Sequence, residues 1–434
     1  MRSWKFCLIL ALSLTLLLGL ATACEEEKKE GETPGATQTP GGLTGELEIF
    51  SWWTTGGEAA GLQALFDLYP DVCPGDVEIV NATVAGGAGF NARQVLTTRM
   101  AGGDPPGSFQ VHMGRELTDT WVTAGKMEPL GDLFDAEGWS DVFPQGVLDI
   151  ISYQGEPYSV PVNIHRANVL WYNKSVFADN NLEPPATFDE FFEVADTLKA
   201  AGVTPLALGD VDVWTAVHLM ETVLLGSLGP DGYEGLWTGD TDWNGAEVTQ
   251  ALETFKQMLS YVNSDHSSLS WDQANDLVIS GDAAMTVMGD WANADYEVKK
   301  FTDYGWAPTP GTDGYYDALS DTFGLPKDAP NPDAVTCWLK VVGSKEGQEA
   351  FNPLKGSVCA RTDCDTSLFN PYLQSAIADW KSDVIVGSLA HGAAASQGWL
   401  TEIVDAATAF VTDKDVSAFQ GRLADACVAA EVCS

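Results

Sequence analysis

Short apolar runs alternate along the chain with segments whose apolar positions recur every three or four residues. The stretch LEIFSWWTTGGE, residues 47–58, predicts a strand that ends at a Thr-Gly-Gly turn. VEIVNATVAG and SFQVHMG predict two more strands, whereas FNARQVLTTRMAGG and TFDEFFEVADTLKAAG have the spacing of helices. The second helix has Thr187 as its N-cap, Glu190 three residues later and Gly202 at its end. Strands that alternate with helices predict an α/β fold.

Four further segments complete this pattern. The spacing around residues 118–126 predicts a helix, and EPYSVPVNIHRANVLWYNKSVF predicts a pair of strands ending in a turn. SWDQANDLVISGD predicts a helix that Trp271 opens, and AAMTVMGD predicts a strand that Trp291 follows. About 390 residues follow the N-terminal region, which is enough for two or three domains.

The N-terminal region has the organisation of an export signal. Arg2 and Lys5 precede an apolar run over residues 6–23, and small residues lead to Cys24. GLATAC resembles a bacterial lipobox with Ala21 at the position that is usually Leu, which implies a signal peptide over residues 1–23 and a lipid on Cys24. We therefore expect an exported protein held at the outer face of the cell membrane. A retained membrane-spanning anchor is the alternative, because the apolar run is about long enough to cross a bilayer.

The segment after the lipobox has little to bury. Residues 24–45 are charged and then rich in Gly, Pro and Thr, and they predict a disordered tether. No further apolar run of about 18 residues follows, so we expect a soluble body. The chain has 22 Lys and Arg against 62 Asp and Glu, a net charge of −40. Such a charge repels phosphate backbones and argues against a nucleic-acid partner.

Cysteine usage agrees with export. Six cysteines follow the lipobox: Cys73, Cys337, Cys359, Cys364, Cys427 and Cys433. An even number outside the cytoplasm predicts up to three disulfides, of which Cys359 with Cys364 and Cys427 with Cys433 are the local choices. Nothing in the spacing fixes the other two. There is no C-x-x-C and the five histidines are scattered, so the sequence predicts no metal site.

Familiar catalytic and cofactor motifs are missing from the sequence. We find no G-x-S-x-G, no H-E-x-x-H and no Walker loop. Residues 87–92 fit G-x-G-x-x-A after a predicted strand, but no acidic residue ends a second strand about 20 residues later. We interpret these glycines as a loop at the mouth of a sheet, and we predict no cofactor.

Tryptophans beside turns are the most distinctive chemical feature. Trp52 and Trp53 follow the first predicted strand, Trp271 opens a helix and Trp291 follows a strand. Each ring alone could simply pack at the end of an element. Several rings at the edges of layered elements fit a ligand cleft better.

After the lipobox the chain carries, in order, LEIFSWWTTGGE, GGDPPGSFQVHMG, VPVNIHRANVLWYNKSVF, GDAAMTVMGDWA, DTFGLPKDAPNPDA and LKGSVCARTD. In these stretches it resembles the extracellular solute-binding proteins of sugar ABC importers, family 1, and within them the glucose, galactose and mannose-binding branch. The resemblance implies the type II periplasmic-binding fold, with two α/β lobes, a hinge and a ligand cleft between the lobes. It implies an N-terminal lobe from residues 46–162 and 317–355 and a C-terminal lobe from residues 163–316 and 356–434.

The resemblance also implies a ligand-binding set of aromatic, charged and histidine side chains. Its members are Trp52, Trp53, Glu58, His112, Trp271, Trp291, Asp321, Lys355 and His391. These residue types suit a hexose, because an indole covers its C–H face while charged groups and histidines pair with its hydroxyls. The implied function is that of a monomeric, non-enzymatic receptor that binds a monosaccharide and delivers it to an ABC permease.

Several alternatives stay open at this point. The protein could bind an oligosaccharide within the same transporter class, or act as a surface adhesin for cell-wall polysaccharide. It could also be a glycoside hydrolase that uses two carboxylates, for instance Glu58 and Asp321. Glu58 could simply favour the first turn of a helix, and a lone histidine such as His112 or His391 is often structural.

Overall fold

A computed structural model describes residues 42–86 and 89–434 of the chain. The predicted signal peptide, Cys24 and the predicted tether as far as residue 41 lie outside the described residues. The tether was predicted to end at residue 45, but the first strand begins at Leu43. Residues 43–45 pair in parallel with residues 75–77, so they belong to a sheet. Within the described ranges, no helix is both long enough and apolar enough to cross a membrane.

The described residues form a mixed α/β structure, as the alternating pattern predicts. The strands are β1 (Leu43–Phe50), β2 (Gly75–Asn81), β3 (Ser108–His112), β4 (Ser152–Tyr153), β5 (Glu156–Pro157), β6 (Ser159–Pro161), β7 (His165–Arg166), β8 (Val169–Asn173), β9 (Thr204–Ala207), β10 (Ala283–Val287), β11 (Tyr304–Pro308), β12 (Tyr315–Leu319), β13 (Asp321–Gly324) and β14 (Val384–Gly387). The α-helices are α1 (Gly56–Val72), α2 (Phe90–Gly102), α3 (Gly131–Glu137), α4 (Gln145–Ile150), α5 (Lys174–Asp179), α6 (Phe188–Ala201), α7 (Trp214–Thr238), α8 (Ala246–Met258), α9 (Trp271–Ser280), α10 (Trp291–Val298), α11 (Pro332–Gly343), α12 (Lys345–Lys355), α13 (Pro371–Ser382), α14 (Gln397–Asp413) and α15 (Val416–Ala429).

Two larger sheets organise the fold. The first has the order β2-β1-β3-β13-β6, in which β1 runs parallel to β2 and β3 while β13 is antiparallel to its neighbours. The second has the order β11-β8-β10-β9. A three-stranded sheet, β14-β12-β7, and the hairpin β4-β5 complete the set. Two large clusters of buried apolar side chains form the core. The first covers the first sheet and also takes in Val169, Trp171 and Tyr304 of the second sheet, whereas the second packs on the rest of that sheet.

The chain passes three times between the first sheet and the three-stranded sheet. Two of the passages are short, and the third covers residues 325–383, which include the predicted boundary between residues 355 and 356. Residues 162–164 connect β6 in the first sheet to β7 in the three-stranded sheet, and Ser320 alone separates β12 from β13. The predicted boundary between residues 162 and 163 falls at the first crossing. The predicted boundary between residues 316 and 317 falls inside β12, so the second crossing lies a few residues later. The assignment of the segments to two moving lobes stays a prediction.

Most predicted elements are confirmed, one predicted helix is of a different helical type, and one predicted strand pair is wrong. Helix α6 has the predicted capping box, in which Thr187 and Glu190 satisfy each other's backbone N–H groups, and Gly202 follows with a φ of 83°. Helices α2 and α9 also form where predicted. The helix predicted around residues 118–126 is instead the π-helix Glu116–Val122. The predicted strand pair over residues 156–177 is four short strands followed by α5, because the chain changes sheets there.

Three disulfides link the six cysteines that follow the lipobox. Cys359 pairs with Cys364 and Cys427 pairs with Cys433, which confirms both local pairs. The third disulfide joins Cys73 to Cys337. These two residues are 264 positions apart in the sequence but neighbours in space, because α1 packs beside α11.

Candidate functional site

One cavity of about 210 Å³ gathers all nine residues that the sequence analysis assigned to a ligand. Trp52, Trp53, Glu58, His112, Trp271, Trp291, Asp321, Lys355 and His391 all contribute to its wall. The wall also includes side chains that were not predicted, chiefly His165, Asp212, Trp214, Asp272 and Asp295. The predicted set is therefore one site in space, although its members are up to 339 positions apart in the sequence.

The adjoining ends of two interior strands of the first sheet supply an acidic centre. His112 ends β3 and Asp321 begins β13, and the antiparallel register pairs them directly. The Asp321 carboxylate accepts a hydrogen bond of 2.7 Å from Gln110 Nε2 and one of 2.8 Å from Asn163 Nδ2. A carboxylate has about four acceptor positions, and these two bonds occupy two of them; the rings of His165 and His112 face the same oxygens at longer range.

The surroundings of Asp321 keep it ionised. Burial alone would raise the pKa of this carboxyl, but the facing His165 ring and the nearby Lys355 and His112 outweigh burial and hold the pKa well below its ordinary value. His165 Nε2 lies 3.4 Å from Asp321 Oδ2 and His112 Nε2 lies 3.6 Å from Asp321 Oδ1. Asp321 is therefore a fixed acceptor of hydrogen bonds and not a proton donor.

The tandem indoles contact different neighbours, although both line the cavity. The Trp52 ring lies 5.0 Å from the His112 ring, and its backbone N–H donates to Gln110 Oε1 at 3.2 Å. The Trp53 ring packs against Phe323 and Phe351 at 5.7 and 5.0 Å. Only 1% of Trp53 is exposed, so it serves as core as well as wall. Both rings reach one opening because β1 ends at Phe50, and the chain is already turning.

An ion pair between a buried lysine and a half-buried glutamate lies beside these rings. Lys355 ends α12, and its Nζ lies 3.1 Å from Oε1 of Glu58, which is in the first turn of α1. The same ammonium lies 5.8 Å from the ring centroids of both Trp53 and Trp291. A cation at this distance from two aromatic faces is stabilised by their quadrupoles, which fixes its position in the wall.

Two glycines allow α1 and α12 to approach closely enough for this ion pair. A Cβ atom at Gly57 would collide with the Leu354 carbonyl, and one at Gly61 would lie 2.9 Å from the Phe351 ring. Side chains at these positions would separate the helices. The position of Glu58 opposite Lys355 therefore depends on the small residues of α1.

We expect Gly57→Ala to destabilise the protein by about 1–3 kcal/mol, the usual cost of overpacking a filled contact. Gly398→Ala is the matched control, since Gly398 also occupies the second position of a helix, α14, and a Cβ there would meet nothing within 4 Å. Thermal unfolding of both variants measures the difference. Equal stability of the two variants would mean that the contact between α1 and α12 is not tight.

Tryptophans at helix starts form the opposite wall. Trp214, Trp271 and Trp291 are the first residues of α7, α9 and α10 respectively. Trp291 is only 7% exposed and packs 5.0 Å from the His391 ring. Trp271 is half-buried and is therefore the ring with most area left for a ligand. A pyranose between these rings and Trp52 would be covered on both faces.

His391 is held in one orientation. Ser388 Oγ donates to the two carboxyl oxygens of Glu221 at 3.0 and 3.1 Å. The Ser388 hydroxyl has no second proton, so His391 Nδ1 donates to it over 2.8 Å. Burial, and then the neighbouring His218, lower the pKa of His391 well below its ordinary value. The neutral ring is left with Nε2 as an acceptor.

The charges of the wall favour a neutral polar ligand. The lining includes five carboxylates and one lysine. Lys355 is paired with Glu58, and Asp295 lies 2.9 Å from Lys299. A phosphate or carboxylate ligand would meet an excess of negative charge. Acceptors such as Asp321, together with flat aromatic faces, instead suit hydroxyl groups on an apolar ring.

Sequence reasoning missed two central members of the site. Trp214 begins a helix within two residues of an aspartate, as Trp291 does, so this shared context could have identified it. His165 lies in the quoted stretch VPVNIHRANVLWYNKSVF, but the assumption of two regular strands hid its position at a crossing between sheets. In the structure its Nδ1 is hydrogen-bonded to Asp290. Burial alone would lower the pKa of His165, but the Asp290 carboxylate outweighs burial and raises it.

Comparison with known proteins identifies the family. The family model of bacterial extracellular solute-binding proteins matches residues 53–349. An uncharacterized ABC transporter extracellular-binding protein of Pyrococcus horikoshii is 37% identical over 89% of this chain and 88% of its own. A probable sugar-binding periplasmic protein of Mesorhizobium japonicum is 34% identical over 84% of this chain and 89% of its own. A xylose/arabinose-binding protein of Haloferax volcanii is 30% identical over 80% of this chain and 77% of its own. The chain belongs to the bacterial extracellular solute-binding protein family.

Solved structures show the same fold. A bacterial solute receptor with an exclusive preference for β-D-galactopyranose superposes with a TM-score of 0.80 at 20% identity, over 89% of this chain and 99% of its own. A chitin oligosaccharide binding protein superposes with a TM-score of 0.78 at 20% identity, over 89% of this chain and 99% of its own. The predicted periplasmic-binding-protein fold is therefore confirmed.

Proposed function

We propose that this protein is the substrate-binding component of a sugar ABC importer and that it binds a monosaccharide such as glucose, galactose or mannose. The observation that carries the proposal is the convergence of facing tryptophans and a fixed carboxylate, Asp321, on one small cavity. Family membership supports the class of transporter, and relatives named as sugar-binding proteins support the class of ligand.

The chemistry of the wall supports recognition of a single pyranose ring. Asp321 and His391 Nε2 offer acceptors, while Lys355 offers donors, so the hydroxyls around one ring could be paired in both senses. Hydrogen bonds to charged groups contribute about 1.5–3 kcal/mol each, and aromatic contacts add about 0.5–1.5 kcal/mol. After the costs of ordering and desolvation, a total near −8 kcal/mol, or a micromolar Kd, is a reasonable expectation.

An oligosaccharide is the second candidate, and one observation favours it. A neighbouring cavity of about 160 Å³, between α2 and α14, shares Trp214 with the first. A second sugar unit would need to reach this cavity past the Trp214 ring. The monosaccharide remains the proposal because all nine predicted residues line the first cavity and none of them lines the second.

A thermal-shift panel of monosaccharides and disaccharides tests the proposal. A ligand at 100 times its Kd stabilises the native state by about 2.7 kcal/mol, which is readily seen as a higher melting temperature. We expect a shift with one of the three hexoses and a smaller shift with maltose at the same concentration. A shift with maltose or a xylo-oligosaccharide alone would overturn the monosaccharide proposal in favour of the second candidate.

The proposal also assigns binding without catalysis. A glycosidase using Glu58 and Asp321 would release reducing sugar from aryl glycosides, whereas a receptor would not. An adhesin would bind insoluble cell-wall glycan and would not respond to free hexose. Release of reducing sugar would indicate a glycosidase, and binding of insoluble glycan without a response to free hexose would indicate an adhesin. Either result would overturn the proposed transport function.

Replacing Trp271 with Ala should weaken hexose binding by about 1–3 kcal/mol and leave the unliganded protein nearly as stable as wild type, because this ring is half-buried in the wall. Trp380→Ala is the control, since Trp380 has similar burial and packs on Tyr316 away from the cavity. Titration calorimetry measures both affinities. Loss of affinity in the Trp380 variant as large as in the Trp271 variant would argue against a direct contact.

Delivery of the sugar requires a position at the membrane. We propose that the chain is exported as a monomer, that a lipid on Cys24 anchors it, and that the body meets the permease subunits. Cys24 lies outside the described residues, so this part rests on the lipobox-like sequence and on the extracellular character of the family. Labelling of cells with a radioactive fatty acid, compared between wild type and Cys24→Ser, tests the anchor.

A further inference from the structure

Beneath the wall of the cavity lies a cluster of two histidines and a glutamate that the proposed function does not use fully. His218 and Glu221 are on the same face of α7, three residues apart, and His391 comes from the loop after β14. One side-chain ligand atom from each residue lies within 4.8 Å of the others. The exposed fractions are 0%, 0% and 3%, so the cluster is closed off from solvent.

His218 carries no hydrogen bond that would explain its burial. Neither ring nitrogen has a hydrogen-bond partner among the described residues. Nδ1 lies 3.4 Å from Glu221 Oε1, but the contact does not have hydrogen-bond geometry. An imidazole presents at least one donor and one acceptor, and leaving both unpaired costs about 1–3 kcal/mol for each group. The ring is therefore built to meet something that a protein side chain does not supply.

Glu221 is a second buried group of the cluster that lacks a partner among the described residues, in this case a partner of opposite charge. Its carboxylate accepts hydrogen bonds from Ser388 Oγ and from the Ala390 N–H at 2.9 Å. No lysine or arginine of the described ranges lies within 4.0 Å of it, and His218 is its nearest cationic candidate. A fully buried carboxylate normally requires an opposite charge or a metal ion.

We propose that His218, Glu221 and His391 bind a divalent transition-metal ion of the zinc type. Two imidazoles and one carboxylate are a known donor set for zinc, and imidazole favours zinc, nickel and copper over magnesium or calcium. Ligand bonds of about 2.0–2.1 Å require donor atoms closer together than they stand here, so binding would draw the three side chains inward. No hydrogen bond to the described residues has to break for the His218 ring to shift, although the ring packs against Trp214, Trp291 and His391 at centroid distances of 6.0, 5.8 and 5.5 Å.

Cysteine does not compete for such an ion in the described part of the chain, since its six thiols form three disulfides. The ion would lie next to Trp291, whose ring centroid is 5.8 Å from that of His218. The metal site does not depend on the identity of the sugar, but it shares His391 with the sugar site. Nδ1 of His391 bonds to Ser388, so an ion would bind Nε2, and a protein that holds the ion would offer the sugar Asp321 without His391 as an acceptor.

Calorimetric titration of the chelator-treated full-length protein with Zn²⁺, in excess Mg²⁺ to occupy exposed carboxylates, tests the proposal. We expect one Zn²⁺ per chain and an affinity at least about tenfold lower in both His218→Gln and Glu221→Gln, since even outer partners of a metal site are worth that much. His266→Gln is the control, because His266 is a partly exposed histidine whose ring lies against Asp210 outside this cluster. Stoichiometric binding that survives in both cluster variants, or no binding by wild type, would overturn the proposal.

X-ray absorption at the zinc edge of the wild-type complex decides the matter if the cluster variants do not fold. The proposal requires two imidazole ligands, one carboxylate and no sulfur around the ion. A zinc ion bound by oxygen alone would be a surface ion, and the cluster would then have to be satisfied by water.

Discussion

Asp321→Asn should reduce hexose affinity by about 10–150-fold for each hydrogen bond that the ionised carboxylate makes to the sugar. The reason lies in the partners of Asp321. Gln110 and Asn163 both donate to it, so an amide at this position would set one N–H group against another. The same conflict should lower the free energy of unfolding by about 3–5 kcal/mol, as for other buried charges that lose their match. Calorimetry and denaturant unfolding measure the two effects separately.

The pH dependence of this variant gives a second test. The folded pKa of Asp321 is depressed, so its ionised form stabilises the native state above the unfolded pKa of about 3.9, and this stabilisation is lost as the pH falls. The difference in stability between wild type and Asp321→Asn should therefore be full above about pH 5 and shrink below about pH 4. Asp313→Asn, at an exposed position eight residues earlier, should follow wild type throughout. A difference that does not change with pH would mean that the pKa of Asp321 is the same in the folded and the unfolded protein, and a difference that shrinks as the pH rises would mean that the folded pKa is raised.

Saturating hexose should shrink the radius of gyration measured by small-angle scattering. The cavity takes Asp321 from the first sheet and Trp52 from the segment that follows its strand β1. Trp271 and Trp291 come from α9 and α10, which precede and follow β10 of the second sheet, so neither side alone encloses a sugar. In the structure the two sides meet where the Glu116 N–H donates to the Gly392 carbonyl at 2.9 Å, beside His391. If the sides separate without ligand, as the proposed lobes would, the sugar favours the closed state through contacts that exist only there.

Trp271→Ala tests whether closure depends on the contact between this ring and the sugar. At a fixed, subsaturating sugar concentration the variant should show a larger radius than wild type, and a saturating dose should restore the smaller radius. Trp380→Ala should match wild type at both concentrations. A radius that is identical with and without saturating hexose would contradict closure and leave a rigid cavity.

Local signals account for the parts of the fold that the sequence predicts well. Thr187, Glu190 and Gly202 define α6 because capping depends on residues within one turn of the helix ends. The segment from β6 to β8 was predicted poorly for the opposite reason. Its short strands pair with β12, β13 and β10, which are more than 100 residues away in sequence, so no local pattern specifies where the chain changes sheets.

The residues of the site also divide into those that a local sequence pattern identifies and those that only the fold brings together. Trp52, Trp53 and Lys355 could be recognised because each lies in a distinctive stretch at the end or start of an element. Four of the five histidines approach the cavity although they appear scattered in sequence, because β3, β7, α7 and the loop after β14 converge there. Their packing at ring-centroid distances of 5.3–5.7 Å is a property of the fold, and the periodicity of the sequence does not predict it.

Titration calorimetry of the wild-type protein with D-glucose, D-galactose, D-mannose and D-xylose, each beside maltose, tests the central claim most directly. The account predicts that one of the three hexoses binds at one molecule per chain with a Kd near micromolar, and that the same hexose displaces any maltose. Saturable heat from maltose with none from any monosaccharide, or no heat from any sugar, would contradict it.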